Sequence, residues 1–318
     1  MSSGWNAEAA WSVIARDFAG FLRLLRSIGV RNIEFSLWNK SSLNALQPAF
    51  EIEQIEAYAE MIIGAGLQIS LHPYSHIDHR GPSHFAPGTQ EQVVAHMESV
   101  IEFGHRLAIR QKTQVHIVFH AAECLGAWED DSMSNEIVRD LLLSRSCNFF
   151  KKAHDYAQKI GANVRLLCEI VPTPSRGMRI GDRPSEVYTM IQGTGIDICW
   201  DTGHYDISSR CLGFPLFPDR RFLESVGHVH LHGVSNGRDH QPATKGDTYL
   251  QRCLELLRSV SFDGPVTLEY SYARDDRDDL QQIISVIKQG CNTVQNSEQS
   301  PPAYPGGRQD APSGSAEA

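Results

Sequence analysis

Four histidines stand within one short stretch of the chain, residues 227–242, which reads GHVHLHGVSNGRDHQP. Imidazole nitrogens bind divalent metals, transfer protons in catalysis, and take part in buried polar networks. Because side chains alternate across a β-strand, His228, His230 and His232 share one face of a predicted strand whose other face is apolar. Any of the three could therefore face a binding site.

The same alternation recurs in other short segments of the chain, and each of these ends in an imidazole or a carboxylate. In a barrel of parallel strands wrapped by helices, the apolar face of each strand packs on the helices and the polar face points into the barrel. The last inward residues of the strands would then meet at the C-terminal end of the barrel. They are His72, His120, Glu169, Asp201, His230 or His232, and Glu269.

This converging set of imidazoles and carboxylates predicts a metal site. Buried together without a cation, such groups would be desolvated and mutually repulsive. His, Asp and Glu without Cys are ligands for zinc, manganese and similar divalent ions. A single strand-end histidine is more often a hydrogen-bonded structural residue, so the hypothesis depends on one register recurring in six strands. Deeper inward residues are interpreted as a structural network near the barrel floor, namely Gln68, His116, Arg165, Asp197 and His228.

A predicted helix precedes each of these strands, and one more follows the last strand. Seven strands are expected, over residues 31–37, 68–73, 114–121, 164–171, 196–202, 227–234 and 264–271. Several helices end at a glycine that can adopt a left-handed C-cap conformation, and these are Gly29, Gly66, Gly161 and Gly195. The alternation predicts an α/β fold of the (β/α)₈ TIM barrel type. Because no apolar run precedes residue 10, the first strand is expected to be short, irregular or missing.

Length and composition restrict the class of protein further. The chain has 318 residues, which suits one catalytic barrel domain over residues 1–292. Residues 293–318 are predicted to be a disordered tail, because the sequence from Asn296 onward has no Leu, Ile, Val or Phe. The net charge of -9 argues against a protein that grips a nucleic-acid backbone.

The cysteines and the lack of long apolar stretches predict a cytoplasmic location. Seven scattered cysteines without a C-x-x-C pair are typical of reduced thiols in the cytoplasm. The sequence has neither a long apolar stretch nor a recognisable signal peptide, so no membrane association is expected. The oligomeric state is left open, with a homo-oligomer as one option.

Four segments carry a resemblance to a known family. With LLCEIVP, ICWDTGH, HVHLHGV followed by GRDHQP, and VTLEY, the chain resembles the xylose isomerase-like TIM-barrel superfamily over most of residues 10–290. That superfamily includes endonuclease IV and the sugar isomerases and epimerases. The resemblance implies a metal-binding Glu, an Asp-x-x-His, a His and a final Glu, which match Glu169, Asp201 with His204, His230 and Glu269.

The isomerase and epimerase branch implies one Mn²⁺, Mg²⁺, Co²⁺ or Zn²⁺ on Glu169, Asp201, His230 and Glu269. That ion would polarise a carbonyl and the neighbouring hydroxyl of a small sugar, while the two glutamates transfer the proton through an enediolate. Substrate contacts are expected from His204, Arg238, Asp239 and His240. The negative net charge favours this small polyhydroxylated substrate.

The endonuclease IV branch adds two histidines, matching His72 and His120, and an Asp-x-His that together hold three zinc ions for cleavage of abasic DNA. Here Asp239 and His240 are adjacent, and neighbours in an extended segment point apart, which argues against a shared third metal. A metal-dependent lyase or dehydratase acting on a keto-sugar or keto-inositol is a further alternative. A binding protein without catalytic activity is the least favoured alternative, because it would have no use for a full set of metal ligands.

Overall fold

The computed structural model describes residues 2–5, 18–36, 52–73, 90–124, 134–242, 246–269 and 284–285. Its strands are β1 (Ser2–Trp5), β2 (Asn32–Ser36), β3 (Gln68–His72), β4 (Val115–Phe119), β5 (Glu123–Cys124), β6 (Val164–Glu169), β7 (Met178–Arg179), β8 (Asp197–Asp201), β9 (Val226–Leu231), β10 (Gly233–Ser235), β11 (Arg238–Gln241) and β12 (Pro265–Leu268). Its helices are α1 (Phe18–Ile28), α2 (Ile52–Gly64), α3 (Gln90–Gln111), α4 (Asn135–Lys159), α5 (Pro184–Ile191), α6 (Thr202–Leu212), α7 (Arg220–Glu224) and α8 (Thr248–Ser259). The predicted tail at 293–318 lies outside these residues.

One parallel sheet organises the molecule. Its eight strands follow the order β1-β12-β9-β8-β6-β4-β3-β2, so the sheet is nearly closed into a barrel. The helices alternate with the strands, and their apolar faces pack on the outside of the barrel together with outward residues such as Val229 and Leu231. The predicted TIM barrel is confirmed. None of the helices in the described ranges has the length and hydrophobicity of a membrane span.

The first strand is short, as one of the expectations had it. Residues Ser2–Trp5 pair in parallel with β12, with Ser3 opposite Val266 and Trp5 opposite Leu268. Pairing in a sheet uses the backbone N–H and C=O groups that every residue other than proline carries. A strand such as Ser-Ser-Gly-Trp can therefore join the barrel without the apolar run that marks the other strands.

Left-handed glycines end helices where the sequence predicted, with one exception. The confirmed positions, with φ of 87°, 74° and 60°, are Gly29, Gly66 and Gly161. The prediction for Gly195 is wrong, because α5 already ends at Ile191 and the left-handed residue is Gly193, with φ of 73°. Gly195 instead donates its backbone N–H to Nδ1 of His154 at 3.2 Å, and an added Cβ would lie 3.3 Å from that ring.

The barrel interior is filled in layers. Near the floor, Arg165 donates to Asp197 at 2.6 Å, and His116 lies 3.3 Å from His228 between Nδ1 atoms. Above them is a small apolar cluster of fully buried residues, which are Val118, Leu167 and Cys199. This filling leaves the C-terminal end of the barrel as the place where inward polar side chains collect.

Candidate metal centre

Six predicted residues meet at the C-terminal end of the barrel. Each stands within one residue of the end of its strand, so the parallel sheet brings them to one level. In β8 and β9, for example, Asp201 is the register partner of His230. Their side chains are buried or nearly so, and the set comprises His72, His120, Glu169, Asp201, His230 and Glu269.

One ring nitrogen lies at the centre of this group. Nδ1 of His230 is 2.7 Å from Oε2 of Glu269, 3.6 Å from Oε2 of Glu169 and 3.8 Å from Oδ2 of Asp201. The three carboxylates reach it from three different strands. His230 and the carboxylates of Glu169 and Asp201 are fully buried.

Several atoms of this group have no hydrogen-bond partner despite their burial. They include Nδ1 of His230, Oε1 of Glu169 and Oε2 of Glu269. A buried polar atom without a partner costs about 1–3 kcal/mol, so a folded protein rarely leaves several of them in one cluster. A divalent cation held by Nδ1 of His230 and the neighbouring carboxylates would offset this cost, and the oxygen and nitrogen donors suit such an ion. The residues therefore fit a metal.

The neighbouring histidines hold the two glutamates in their charged form. Burial alone would raise the pKa of Glu169, but the charges of His120 and His230 lower it well below the ordinary range. Burial would also raise the pKa of Glu269, but the charge of His230 and its hydrogen bond lower it well below the ordinary range. Both side chains thus stay anionic at neutral pH. Burial raises the pKa of the Cys199 thiol, and its sulfur lies at metal-binding spacing from Glu169 and His230.

His72 and His120 both contact Glu169. Their Nε2 atoms lie 2.9 Å and 3.0 Å from the same oxygen, Oε2. Burial works against protonation of His72, but the hydrogen bond to Glu169 and the charges of the nearby carboxylates together outweigh it and raise the pKa of His72 to about 9. The three residues form a second group whose atoms could hold an ion.

The Asp-x-x-His segment is positioned by the start of α6. Asp201 is the N-cap of this helix, and its Oδ1 accepts the backbone N–H of His204 at 2.6 Å. The His204 ring lies back toward the barrel, with Nδ1 3.1 Å from Oε1 of Glu169 and 3.3 Å from the carbonyl oxygen of Ile170. The capping bond thus fixes the Asp201 side chain and the backbone of His204.

His232 has a different role from His230. Its Nε2 lies 3.0 Å from Oδ2 of Asp201, and its Nδ1 accepts the backbone N–H of His240 at 2.9 Å. Both ring nitrogens are therefore engaged, whereas Nδ1 of His230 faces three carboxylates. The ring fits only because residue 203 is glycine, since a Cβ there would lie 2.0 Å from Cε1 of His232. Of the two residues that alternation left open, His230 is the one whose Nδ1 faces the three carboxylates.

Asp239 and His240 do not point apart, and that expectation was wrong. His240 has a φ of 51°, in the left-handed region, which breaks the alternation of an extended strand. As a result, Nδ1 of His240 lies 3.2 Å from Oδ1 of Asp239, and Oδ2 of Asp239 lies 3.6 Å from Nε2 of His204. The rings of His204, His232 and His240 form a further group with metal-binding spacing. Arg238, on the same hairpin strand β11, is exposed.

Glu34 was not among the predicted site residues, yet it lies at the centre. Its side chain is fully buried, with Oε1 3.0 Å from Nε2 of His230 and Oε2 3.2 Å from Nε2 of His228. The signal was present in the sequence, because Ile33 and Phe35 alternate with Glu34 in the same way as in the other strands. Glu34 occurs in the middle of its strand, whereas the prediction selected strand ends.

The fold and the site together define a class of protein, a TIM barrel with a cluster of histidines and carboxylates suited to divalent metals at its C-terminal end. The sequence model of one family, described as the xylose isomerase-like TIM barrel, matches residues 22–290. The chain belongs to this family. A comparison with curated protein sequences gave no match.

Solved structures with the same fold include enzymes of two kinds. A D-tagatose 3-epimerase-like protein is 16% identical, with a TM-score of 0.64, over 92% of this chain and 100% of that one. An L-ribulose 3-epimerase is 17% identical, with a TM-score of 0.62, over 95% and 100%. Endonuclease IV from Thermus thermophilus is 19% identical, with a TM-score of 0.56, over 91% and 100%. At these identities the similarity establishes the fold.

Proposed function

We propose that the protein is a divalent-metal-dependent isomerase or epimerase of a small polyhydroxylated sugar. The observation that carries the proposal is the approach of Glu169, Asp201 and Glu269 to Nδ1 of His230, with buried atoms that lack hydrogen-bond partners. These four side chains would hold one Mn²⁺, Mg²⁺, Co²⁺ or Zn²⁺. When bound, the ion supplies polarisation of the sugar carbonyl and its neighbouring hydroxyl.

In the proposed reaction the two glutamates move the proton. Glu169 ends β6 and Glu269 follows β12, and two other strands separate β6 from β12 in the sheet. One would take the proton from the carbon beside the carbonyl and the other would return a proton to the opposite face. Their burial keeps water away from the transferred proton.

The rim of the site offers polar groups for sugar hydroxyls. Beside the proposed metal ligands lie His204, Asp239 and His240. Arg238 is on the same hairpin as Asp239 and His240. The net charge of -9 supports a small uncharged ligand over a polyanion. The epimerases among the similar structures support the same class of substrate. Within the described residues Cys147, Cys168, Cys199, Cys211 and Cys253 are thiols, which supports a reducing cytoplasmic location.

A second candidate function is hydrolysis of a phosphodiester at abasic DNA by several zinc ions. Two observations favour it. His72 and His120 share one oxygen of Glu169, and Asp239 and His240 turn together toward His204. These groups would provide positions for further ions, and endonuclease IV is among the structures with this fold.

Metal counting and parallel assays test the two functions. Protein stripped with chelator is reconstituted with each ion, the bound metal is counted, and the protein is incubated with a panel of ketoses in D₂O and separately with an abasic duplex. We expect one bound ion and deuterium incorporation beside the ketose carbonyl. Three zinc ions with cleavage of the duplex at low enzyme concentration would instead establish the second candidate.

Substitution of the glutamates tests their assigned roles. Glu169→Gln and Glu269→Gln should abolish turnover while the circular dichroism spectrum stays that of the folded protein. Glu255→Gln is a matched control, because Glu255 is exposed on α8. Full activity in both site variants would refute the assigned roles.

A further inference from the structure

We propose that Glu34 is a positioning residue that fixes the tautomer and orientation of His230 for metal binding. The inference rests on the proposed function, in that it takes the ion to lie at Nδ1 of His230. Glu34 would accept a hydrogen bond from the N–H at Nε2 of that ring, so that the lone pair of Nδ1 is directed at the three carboxylates. The residue would then act on the metal through His230, without contacting substrate.

The geometry around His230 assigns different tasks to its two nitrogens. Nδ1 faces Glu269, Glu169 and Asp201, while Nε2 lies 3.0 Å from Oε1 of Glu34 on the other side of the ring. A neutral imidazole carries one proton, and only the nitrogen without it can bind a metal. Metal-binding histidines generally donate their other N–H to a carboxylate or carbonyl, which selects the tautomer and raises ligand basicity.

The two facing atoms have no other hydrogen bond. Oε1 of Glu34 and Nε2 of His230 are both buried, and neither has a partner that meets full hydrogen-bond geometry. Their separation of 3.0 Å is close to that of a charge-assisted hydrogen bond. Because buried polar groups are generally hydrogen-bonded, we take these two atoms as each other's partners.

Glu34 is held in place from its other oxygen. Oε2 accepts from Ser70 at 3.4 Å and lies 3.2 Å from Nε2 of His228. Ser70 in turn accepts from Nδ2 of Asn32 at 2.9 Å. This chain of contacts joins β2, β3 and β9 beneath the site and leaves Oε1 directed at His230. A carboxylate fixed in this way can hold the imidazole ring in one orientation.

A structural role alone would give a different result from a positioning role. If Glu34 only filled space and paired charges, its replacement would lower stability and leave the metal affinity of the folded protein unchanged. If it selects the tautomer of His230, replacement by an amide lowers metal affinity even in a folded variant, because the Nε2 proton loses its carboxylate acceptor. Metal affinity and the ligand field of the ion therefore separate the two roles, whereas activity would not.

The test compares wild type, Glu34→Gln, Ser70→Ala and Glu255→Gln. Glu255→Gln is the control, because it makes the same change of a carboxylate to an amide at an exposed position on α8. Affinity for Zn²⁺ is measured by competition with a chromophoric chelator, and the Co²⁺-loaded proteins are compared by visible absorption. We expect Glu34→Gln to bind Zn²⁺ about 10- to 100-fold more weakly with a changed Co²⁺ spectrum. Ser70→Ala removes one hydrogen bond to the Glu34 carboxylate and leaves its contact with His230, so it should weaken binding less than Glu34→Gln, and Glu255→Gln should match wild type.

A measurement on the wild-type protein covers the case in which Glu34→Gln does not fold. In Zn²⁺-loaded protein with ¹⁵N-labelled histidine, the ring nitrogens of His230, assigned by their loss in His230→Gln, should show protonation at Nε2. Protonation at Nδ1, or unchanged Zn²⁺ affinity and Co²⁺ spectrum in Glu34→Gln, would overturn the inference. Absence of metal binding by wild type would instead refute the proposed function, so the two failures are distinguishable.

Discussion

Replacing Gly203 with alanine tests whether His232 is fixed beside Asp201. Gly203 lies in the first turn of α6, where alanine would ordinarily stabilise a helix by about 0.5–1 kcal/mol. Here the new Cβ would lie 2.0 Å from Cε1 and 2.4 Å from Nδ1 of His232. Carbon atoms in contact prefer about 3.5–4.0 Å, so the ring must retreat by about 1.5 Å. Such a shift breaks the contact between His232 and Asp201.

The expected cost exceeds the helix gain. Overpacking of a buried site costs about 1–3 kcal/mol, and the lost hydrogen bond to the charged Asp201 adds about 1.5–3 kcal/mol. Gly203→Ala should therefore lower the free energy of unfolding by about 2–5 kcal/mol. The backbone N–H of His240 loses its acceptor as well, so the β10–β11 hairpin should exchange amide hydrogens faster.

Urea denaturation of four variants measures this effect. Gly64→Ala is the matched control, because Gly64 ends α2 and an added Cβ has nothing within 4 Å; its stability should equal or exceed that of wild type. In a His232→Ala background the obstructing ring is gone, so Gly203→Ala should cost little there. A Gly203→Ala protein as stable as Gly64→Ala, or an equal loss in both backgrounds, would refute the reasoning.

Three further predictions concern the rest of the barrel. Arg139→Ala deprives the buried Asp182 and Glu186 of a guanidinium that lies 2.5 Å from each, and should lower the free energy of unfolding by about 3 kcal/mol; a loss below about 1 kcal/mol in urea would contradict this. Burial and the charge of His228 lower the pKa of His116 from 6.5 to about 3, so stability should fall as pH drops below 6.5. In His116→Gln the free energy of unfolding should decrease less steeply with falling pH than in wild type, by up to about 1.4 kcal/mol per pH unit. Equal slopes in the two proteins would contradict this prediction. Removal of divalent ions by chelator should lower the melting temperature, and Mn²⁺ or Zn²⁺ should restore it, because an ion bound only by the folded chain stabilises it; identical melting curves would contradict a metal site.

The strand-end residues could be predicted because the signal is local. A period of two divides each strand into an inner and an outer face, and parallel strands place their ends at one level. Residues such as Glu169 and Asp201 therefore follow from the sequence once the barrel is inferred. The same alternation along the whole of β2 places Glu34 on the inner face. The prediction missed Glu34 because it considered only the ends of the strands.

Other features depend on contacts that no local pattern contains. The distinction between His230 and His232 depends on the backbone N–H of His240, which reaches back from a hairpin. The orientation of Asp239 and His240 depends on one left-handed φ at a residue that is not glycine, and such strained positions occur where surrounding structure fixes them. Sequence alternation alone predicts the opposite arrangement.

The number of ions held by the site follows from the protonation of two histidines on Glu169. If His72 and His120 are protonated and donate Nε2–H hydrogen bonds to Oε2 of Glu169, they compensate its charge, and one ion suffices on the side of His230. If both rings are neutral with the proton on Nδ1, their Nε2 lone pairs and Oε2 of Glu169 would be able to hold a further ion. Counting the zinc retained by His72→Asn and His120→Asn therefore distinguishes these states: an unchanged count of one identifies the histidines as partners of a single-ion isomerase, and the stepwise loss of further ions identifies them as ligands of a hydrolase.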